Sequence, residues 1–335
     1  MKRAVALVFI SALLLQTPAH AGGFLQSLVE KRIEGNRTGL FSGDGASGGG
    51  DLGCKRLAEI AKRYENSEEE QAAASKSEAY GDAAKERLDI FLPEQGAKPN
   101  TAAPIIIMVH GGAWCVGDKS SQEVIANKTS RWLPRGFIFV SVNYPMIPDG
   151  ANVIAQAESI ARAIAYIQQN AEKWGGDNKK IILMGHSAGA HLASLLTADI
   201  SLGAKFNLQP WLGTVALDSA VLNVTDLMAN KHLAFYDDAF GTDENLWKKA
   251  SPFNQLSSHS LPWFGVCSTK RQASCSQAHA FADKAASLGI DAQVLEEDLK
   301  HKEINSQLGI PGYYTYLVEQ FMRKLDPDIA AKLPH

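Results

Sequence analysis

The chain reads as an α/β protein with a mostly parallel central sheet and helices on both faces. Short apolar runs recur at residues 88–92, 105–109, 137–142, 181–184, 214–217, 263–266 and 293–295. Amphipathic stretches lie between several of them, the clearest placing Ile154, Ala157, Ala161, Ile164 and Ile167 three and four residues apart on one helix face. Runs apolar throughout suit strands buried on both faces, and strand–helix–strand alternation builds a parallel sheet. No fixed-period repeat points to a solenoid or propeller. Ligand crevices in such sheets lie at the carboxyl ends of the strands, so the residues just after each run carry the chemistry.

The chain has 335 residues, and one α/β core regularly takes more than ~250, so a single catalytic domain is expected. Apolar residues at 45% and charged residues at 21% exclude a disordered, collagen-like or coiled-coil chain. Thirty-six acids against 33 bases give a net charge of −3, without the positive excess needed to neutralise phosphates, which excludes nucleic acid as a partner.

Taken from the start, Lys2 and Arg3 precede an apolar stretch over 4–15, and Ala19-His20-Ala21 has the small-x-small form of a cleavage site. A signal peptide over 1–21, cut after Ala21, is therefore expected, with a periplasmic or secreted mature protein. The apolar stretch falls short of the ~20 residues needed to span a bilayer, so no stable membrane insertion is expected. Residues 22–80 are rich in Gly, Ser, Ala, Glu and Lys, with a loop-like stretch at 43–53, an acidic run at 68–70 and one helix around Cys54–Tyr64. They read as a partly flexible N-terminal extension, and 81–328 as the catalytic domain. Cys54, Cys115, Cys267 and Cys275 allow three disulfide connectivities, of which a Cys267–Cys275 bridge closing a short loop is the first choice. Zinc would need close CxxC-type pairs, which are missing, so no metal is expected.

The run at 181–184 leads into Gly185-His186-Ser187-Ala188-Gly189 and then a helical stretch, the strand–turn–helix setting of a GxSxG nucleophile elbow. Ala188 would open the helix, where free N–H groups favour an oxyanion. The run at 105–109 leads into His110-Gly111-Gly112-Ala113-Trp114, whose glycines let backbone N–H groups turn towards the elbow. Gly111, Gly112, Ala113 and Ala188 are thus the expected oxyanion hole.

These two motifs, with Gly117-Asp118-Lys119, Trp174-Gly175-Gly176-Asp177 and the string GHSAGAHLA over 185–193, make the chain resemble the α/β-hydrolase superfamily across roughly residues 80–325. Within it the chain resembles the esterases and aryl formamidases that carry HGGxW and GHSAG; the last string is similar to kynurenine formamidase relatives and to small feruloyl or acetyl xylan esterases. The resemblance implies an α/β-hydrolase fold and acyl transfer by a Ser, His and acid triad, without metal or organic cofactor.

A serine hydroxyl needs a histidine to take its proton and an acid to hold that histidine in the right tautomer. Of nine histidines, His20 leaves with the signal, His335 is terminal, His110 and His186 belong to the motifs, and His191 reads as helix packing. His232, His259 and His279 read as solvated or packed. His301 follows the last strand by six residues and opens a loop in the chain order Ser, acid, His, which selects it as the base. Relatives commonly place the acid after the strand that here is 263–266, but residues 267–275 hold no carboxylate. In lipases of the pancreatic type the acid projects one strand earlier, from Leu-Asp-Pro-Ala. Leu217-Asp218-Ser219-Ala220 is similar, and a carboxylate closing an apolar strand is costly unless paired. Asp218 is therefore the expected acid, with Asp226, Glu296, Glu297 and Asp298 as alternatives.

About 44 residues separate Asp218 from the next strand, a length that fits a small cap or none. Trp114, Phe235 and Tyr236, with Phe240 and Trp247, are candidates to line the substrate pocket. The expected activity is an exported serine carboxylesterase acting on a small-molecule short-chain or aromatic acyl ester. An aryl formamidase-like amidohydrolase using the same machinery, and a non-catalytic hydrolase-fold binding protein, stand as the alternatives.

Overall fold

The computed structural model of the protein describes residues 53–64, 74–93, 102–219 and 221–334. The expected signal peptide and the first part of the extension lie outside them.

Among the described residues, eight strands form one sheet: β1 (Lys76–Ala79), β2 (Arg87–Phe91), β3 (Ala103–Val109), β4 (Ile138–Val142), β5 (Gly176–His186), β6 (Gly213–Leu217), β7 (Trp263–Ser268) and β8 (Ala292–Glu297). Their spatial order is β1-β2-β4-β3-β5-β6-β7-β8. β1 and β2 pair antiparallel, as do β2 and β4, and all pairs from β4 to β8 are parallel. The chain runs from β3 outwards to β4 and then returns to lay β5 on the other side of β3. The carboxyl ends of β3 and β5 therefore flank a topological switch point, where open α/β sheets form their crevice.

Alternation along these strands feeds two cores. Ile105, Ile107, Val109, Ile181 and Leu183 face one side, under the helices Val153–Asn170 and Ala188–Ala198. Ile106, Met108, Phe139, Ile182, Met184 and Leu217 face the other, under Gln122–Trp132 and Tyr313–Leu325. Side chains buried on both faces are why the central strands read as unbroken apolar runs. At the edge, β8 is only half buried and carries Glu296 and Glu297, charges that discourage pairing with another chain.

The polar strand β1 has no apolar signature, and it places the start of the sheet on the extension side of residue 80. Its Glu78 accepts from the Tyr166 hydroxyl and the Trp174 indole, which fix it from the helix side. The helix Cys54–Tyr64 forms as expected, and Cys54 bridges to Cys115, just past the HGGAW turn; Cys267 bridges to Cys275. Between β6 and β7 stand four short helices, none longer than seven residues, which make a small cap.

The Cys54–Cys115 bridge spans 61 residues, and chain-entropy reasoning assigns such a loop about 4 kcal/mol of stability. Replacing both cysteines with serine should lower the unfolding free energy by that order in urea titrations; an unchanged midpoint would refute this role.

Candidate active site

Strand β5 ends at His186, and Ser187 turns into the helix Ala188–Ala198 with φ of 55°. A non-glycine residue there stores about 1–3 kcal/mol of strain, so the surroundings must hold it. They do so by close approach: a Cβ on Gly185 would stand 2.3 Å from the Gly189 carbonyl, and one on Gly189 would stand 2.3 Å from that of Val109. The two motif glycines thus let the helix abut its own strand and the end of β3. The Ser187 N–H donates to the Leu217 carbonyl at 2.9 Å, tying the elbow to β6.

After β3, the N–H groups of Cys115 and Val116 both donate to the Gly112 carbonyl, and Ala113 and Trp114 take φ of 54° and 60°. A Cβ on Gly111 would lie 2.9 Å from Ser187 Cβ, so this turn rests directly against the elbow. Tyr144 stacks on His110 and donates its hydroxyl to the His110 carbonyl, and Gln156 donates to that of Trp114. The Asp118 carboxylate accepts from Ser120 and Asn143; burial opposes its charge, but these bonds hold it below the usual carboxylate range. The Gly-Asp-Lys string therefore anchors the turn.

The structure brings Ser187, His301 and Asp218 together. His301 Nε2 is 2.9 Å from Ser187 Oγ, and His301 Nδ1 is 2.5 Å from Asp218 Oδ2. Asp218, at φ of 53°, follows β6 and is fully buried. Its Oδ1 accepts from the Ser268 N–H (2.9 Å) and the Ser274 hydroxyl (2.5 Å), and its Oδ2 also accepts from Arg271 Nη1 (2.6 Å). Burial works against its charge, yet Arg271, then His301 and Ser274, hold it well below the usual carboxylate range.

His301 opens a short helix, His301–Ser306, where a loop was expected. His186 Nε2 donates to the His301 carbonyl at 3.1 Å with the two rings 4.5 Å apart, and burial keeps His186 neutral. The far end of the helix is clamped from below. Lys128 Nζ donates to the carbonyl and side-chain oxygens of Asn305, and Asn127 donates to the Ser306 carbonyl. Lys128 is buried, which pushes it down to about 7. Burial first and the Arg271 cation second lower His301 itself, against the pull of Asp218.

Trp114, Phe235 and Tyr236 are less than a tenth exposed and pack on one another and on Phe240, so core packing takes most of the surface expected to line a pocket. The Trp114 indole donates to His191 Nδ1, and His191 Nε2 donates to the Ala250 carbonyl; burial lowers His191 to about 4, so it stays neutral as a packing residue. Of the alternative acids, Glu296 pairs with His279 and Asp298 with Lys270 rather than with His301. Arg271, Ser268, Ser274, His186 and Lys128 were not singled out from sequence. The only sign of the first three was a cysteine-flanked stretch with no carboxylate. Among the described residues no group of three or more His, Cys, Asp or Glu could hold a metal ion, and no helix is long and apolar enough to cross a membrane.

Comparison with known proteins gives several matches. Esterase LipQ of Mycobacterium tuberculosis is 32% identical over 209 residues, 58% of this chain and 48% of LipQ. The kynurenine formamidase of Danio rerio is 30% identical over 149 residues, 40% of this chain and 47% of that one. The chain spans about half, or less, of the length of the curated relatives it matches. Among solved structures, a thermophilic esterase of Thermogutta terrifontis, Est2, superposes with a TM-score of 0.61 at 18% identity, covering 76% of this chain and 93% of that one, a likeness of fold. The BD-FAE family model matches residues 88–284, a span that takes in the glycine turn, the elbow, Asp218 and Arg271 and stops short of His301, and the chain belongs to the BD-FAE family.

Proposed function

We propose that the protein is a serine carboxylesterase that hydrolyses short-chain or aromatic acyl esters through an acyl-enzyme on Ser187. The observation that carries this reading is the unbroken line from the Ser187 hydroxyl to the His301 ring to the Asp218 carboxylate, at 2.9 and 2.5 Å, beside the HGGAW turn. His301 Nε2 takes the hydroxyl proton as Ser187 Oγ attacks the ester carbonyl. Negative charge then develops on the carbonyl oxygen, beside the N–H of Ala188 at the helix start and the backbone of Gly111, Gly112 and Ala113. His301 returns the proton to the leaving alcohol, and water repeats the cycle on the acyl-enzyme. Asp218 keeps Nδ1 protonated so that Nε2 is the basic nitrogen.

A cap of short helices leaves little room for a large lid, which supports small acyl groups over long lipids. A second reading, cleavage of an N-formyl amide, is favoured by the similarity to the Danio rerio formamidase. We assign the protein to the periplasm or the extracellular space, after cleavage near Ala21; two disulfides among four cysteines suit such an oxidising setting.

Three outcomes follow. A fluorophosphonate probe should label the wild type and not Ser187→Ala, and an unlabelled wild type would leave only a binding role. Asp218→Asn should lower kcat about 10⁴-fold through the wrong tautomer, and near-normal turnover would move the acid elsewhere. Hydrolysis of p-nitrophenyl acetate should exceed that of an N-formyl aniline; the reverse ratio would select the second reading.

A further inference from the structure

Besides His301, the Asp218 carboxylate takes its hydrogen bonds from one stretch of chain, running from Ser268 at the end of β7 to Ser274 in the first turn of the helix Gln272–Ser287. Ser268, Arg271 and Ser274 all lie between Cys267 and Cys275, and the bridge closes the loop around them. Arg271 is itself buried, and its Nη1 reaches both Oδ2 (2.6 Å) and the backbone oxygen (3.1 Å) of Asp218. The same Nη1 stands 2.6 Å from His301 Nδ1. Nδ1 cannot donate to Asp218 and accept from Arg271 at once. With its hydrogen on Asp218, as the base role demands, two N–H donors crowd one carboxylate oxygen and a fixed cation faces the ring. The ring must then gain its proton beside a carboxylate already neutralised by a guanidinium, where a bare carboxylate would favour the charged ring.

The other groups around His301 leave this balance standing. His186, from the end of β5, is neutral and lies tilted against the ring. Tyr314 and Tyr236, which burial keeps protonated, lie near Asp218 and Arg271. Lys128, under the far end of the helix, bonds Asn305, and its charge also disfavours protonation on this side of the site. Glu297, at the end of β8, is half buried, which raises its carboxyl. The Lys302–Glu123 and Lys270–Asp298 pairs nearby are each internally compensated.

We propose that Arg271 is a positioning residue: standing against both Asp218 and His301, it holds the carboxylate in place and opposes positive charge on the ring, so that the base works in mildly acid solution. The kinetic part rests on the serine-esterase reading, whereas the effect on the ring does not. Two measurements test it together: kcat/KM for a neutral ester from pH 4 to 9 by pH-stat, and NMR titration of the 15N-labelled His301 ring, assigned with His301→Gln. Wild type should titrate below the ordinary ~6.5 of a histidine. Arg271→Gln should raise both the ring and the acid limb of kcat/KM by a unit or more, costing about tenfold at pH 5 relative to its own plateau. Arg271→Lys, which keeps the cation, should stay near wild type. A lower plateau in Arg271→Gln with ring and limb unmoved would overturn the proposal, as that is what a purely structural arginine gives. A ring that moves while no variant cleaves esters would overturn the esterase reading and leave Arg271's hold on His301 intact. Should Arg271→Gln fail to fold, Arg271→Met, which also removes the cation, is read in the same way, and a wild-type ring at or above ~6.5 refutes the proposal outright.

Discussion

The Asp218 carboxylate, sealed from solvent at the end of β6, accepts from a main-chain N–H, a serine hydroxyl, a guanidinium and an imidazole, and the arrangement of the site depends on that convergence. A buried charge left unpaired costs several kcal/mol, so each donor is under pressure to stay where it is. Through these bonds one carboxylate fixes the loop after β7, the start of the helix after β8 and the orientation of the His301 ring. Ser187 gains its partner only at the end of this chain of constraints. The residues after β7 that hold no carboxylate of their own face this one and supply donors to it.

Strain and packing meet at the same place. Five non-glycine residues among those described have positive φ, and four of them, Ala113, Trp114, Ser187 and Asp218, belong to the site. Each stores about 1–3 kcal/mol, which persists only where the surroundings over-determine the backbone. Here they do: β3, β5 and β6 are clad on both faces, Gly185 and Gly189 leave no slack between helix and strand, and Trp114 is wedged among Phe235, Tyr236 and Phe240. The aromatics that sequence offers as pocket walls also seat the cap on the glycine turn.

Much of the fold and the core of the site were legible because their signals are local. The central strands are apolar on both faces, and the elbow and the glycine turn need small residues at set spacings within a few positions. His301 and Asp218 were found by chain order and by the cost of a carboxylate closing an apolar strand, although the helix that His301 opens carries no strong local signal. What escaped notice depends on contacts between distant segments. β1 is polar and held by pairing and by Glu78; Arg271 looks like any loop arginine until the sheet sets it against Asp218; Lys128 reads as a surface lysine until Asn305 covers it. Cys115 as the partner of Cys54 followed only from choosing Cys267–Cys275 first, and the fold brings the two together.

The two bridges differ in span, 8 residues against 61, and this sets an order of maturation. Closing a chain costs more entropy as the loop lengthens, so Cys267 and Cys275 meet through local collisions, whereas Cys54 must wait for β3 to deliver Cys115. Oxidation of a fully reduced, complete chain would therefore tend to close the loop beside Asp218 first and staple the amino-terminal helix to the glycine turn last. A partly oxidised form would carry a finished carboxylate pocket beneath an untethered entrance.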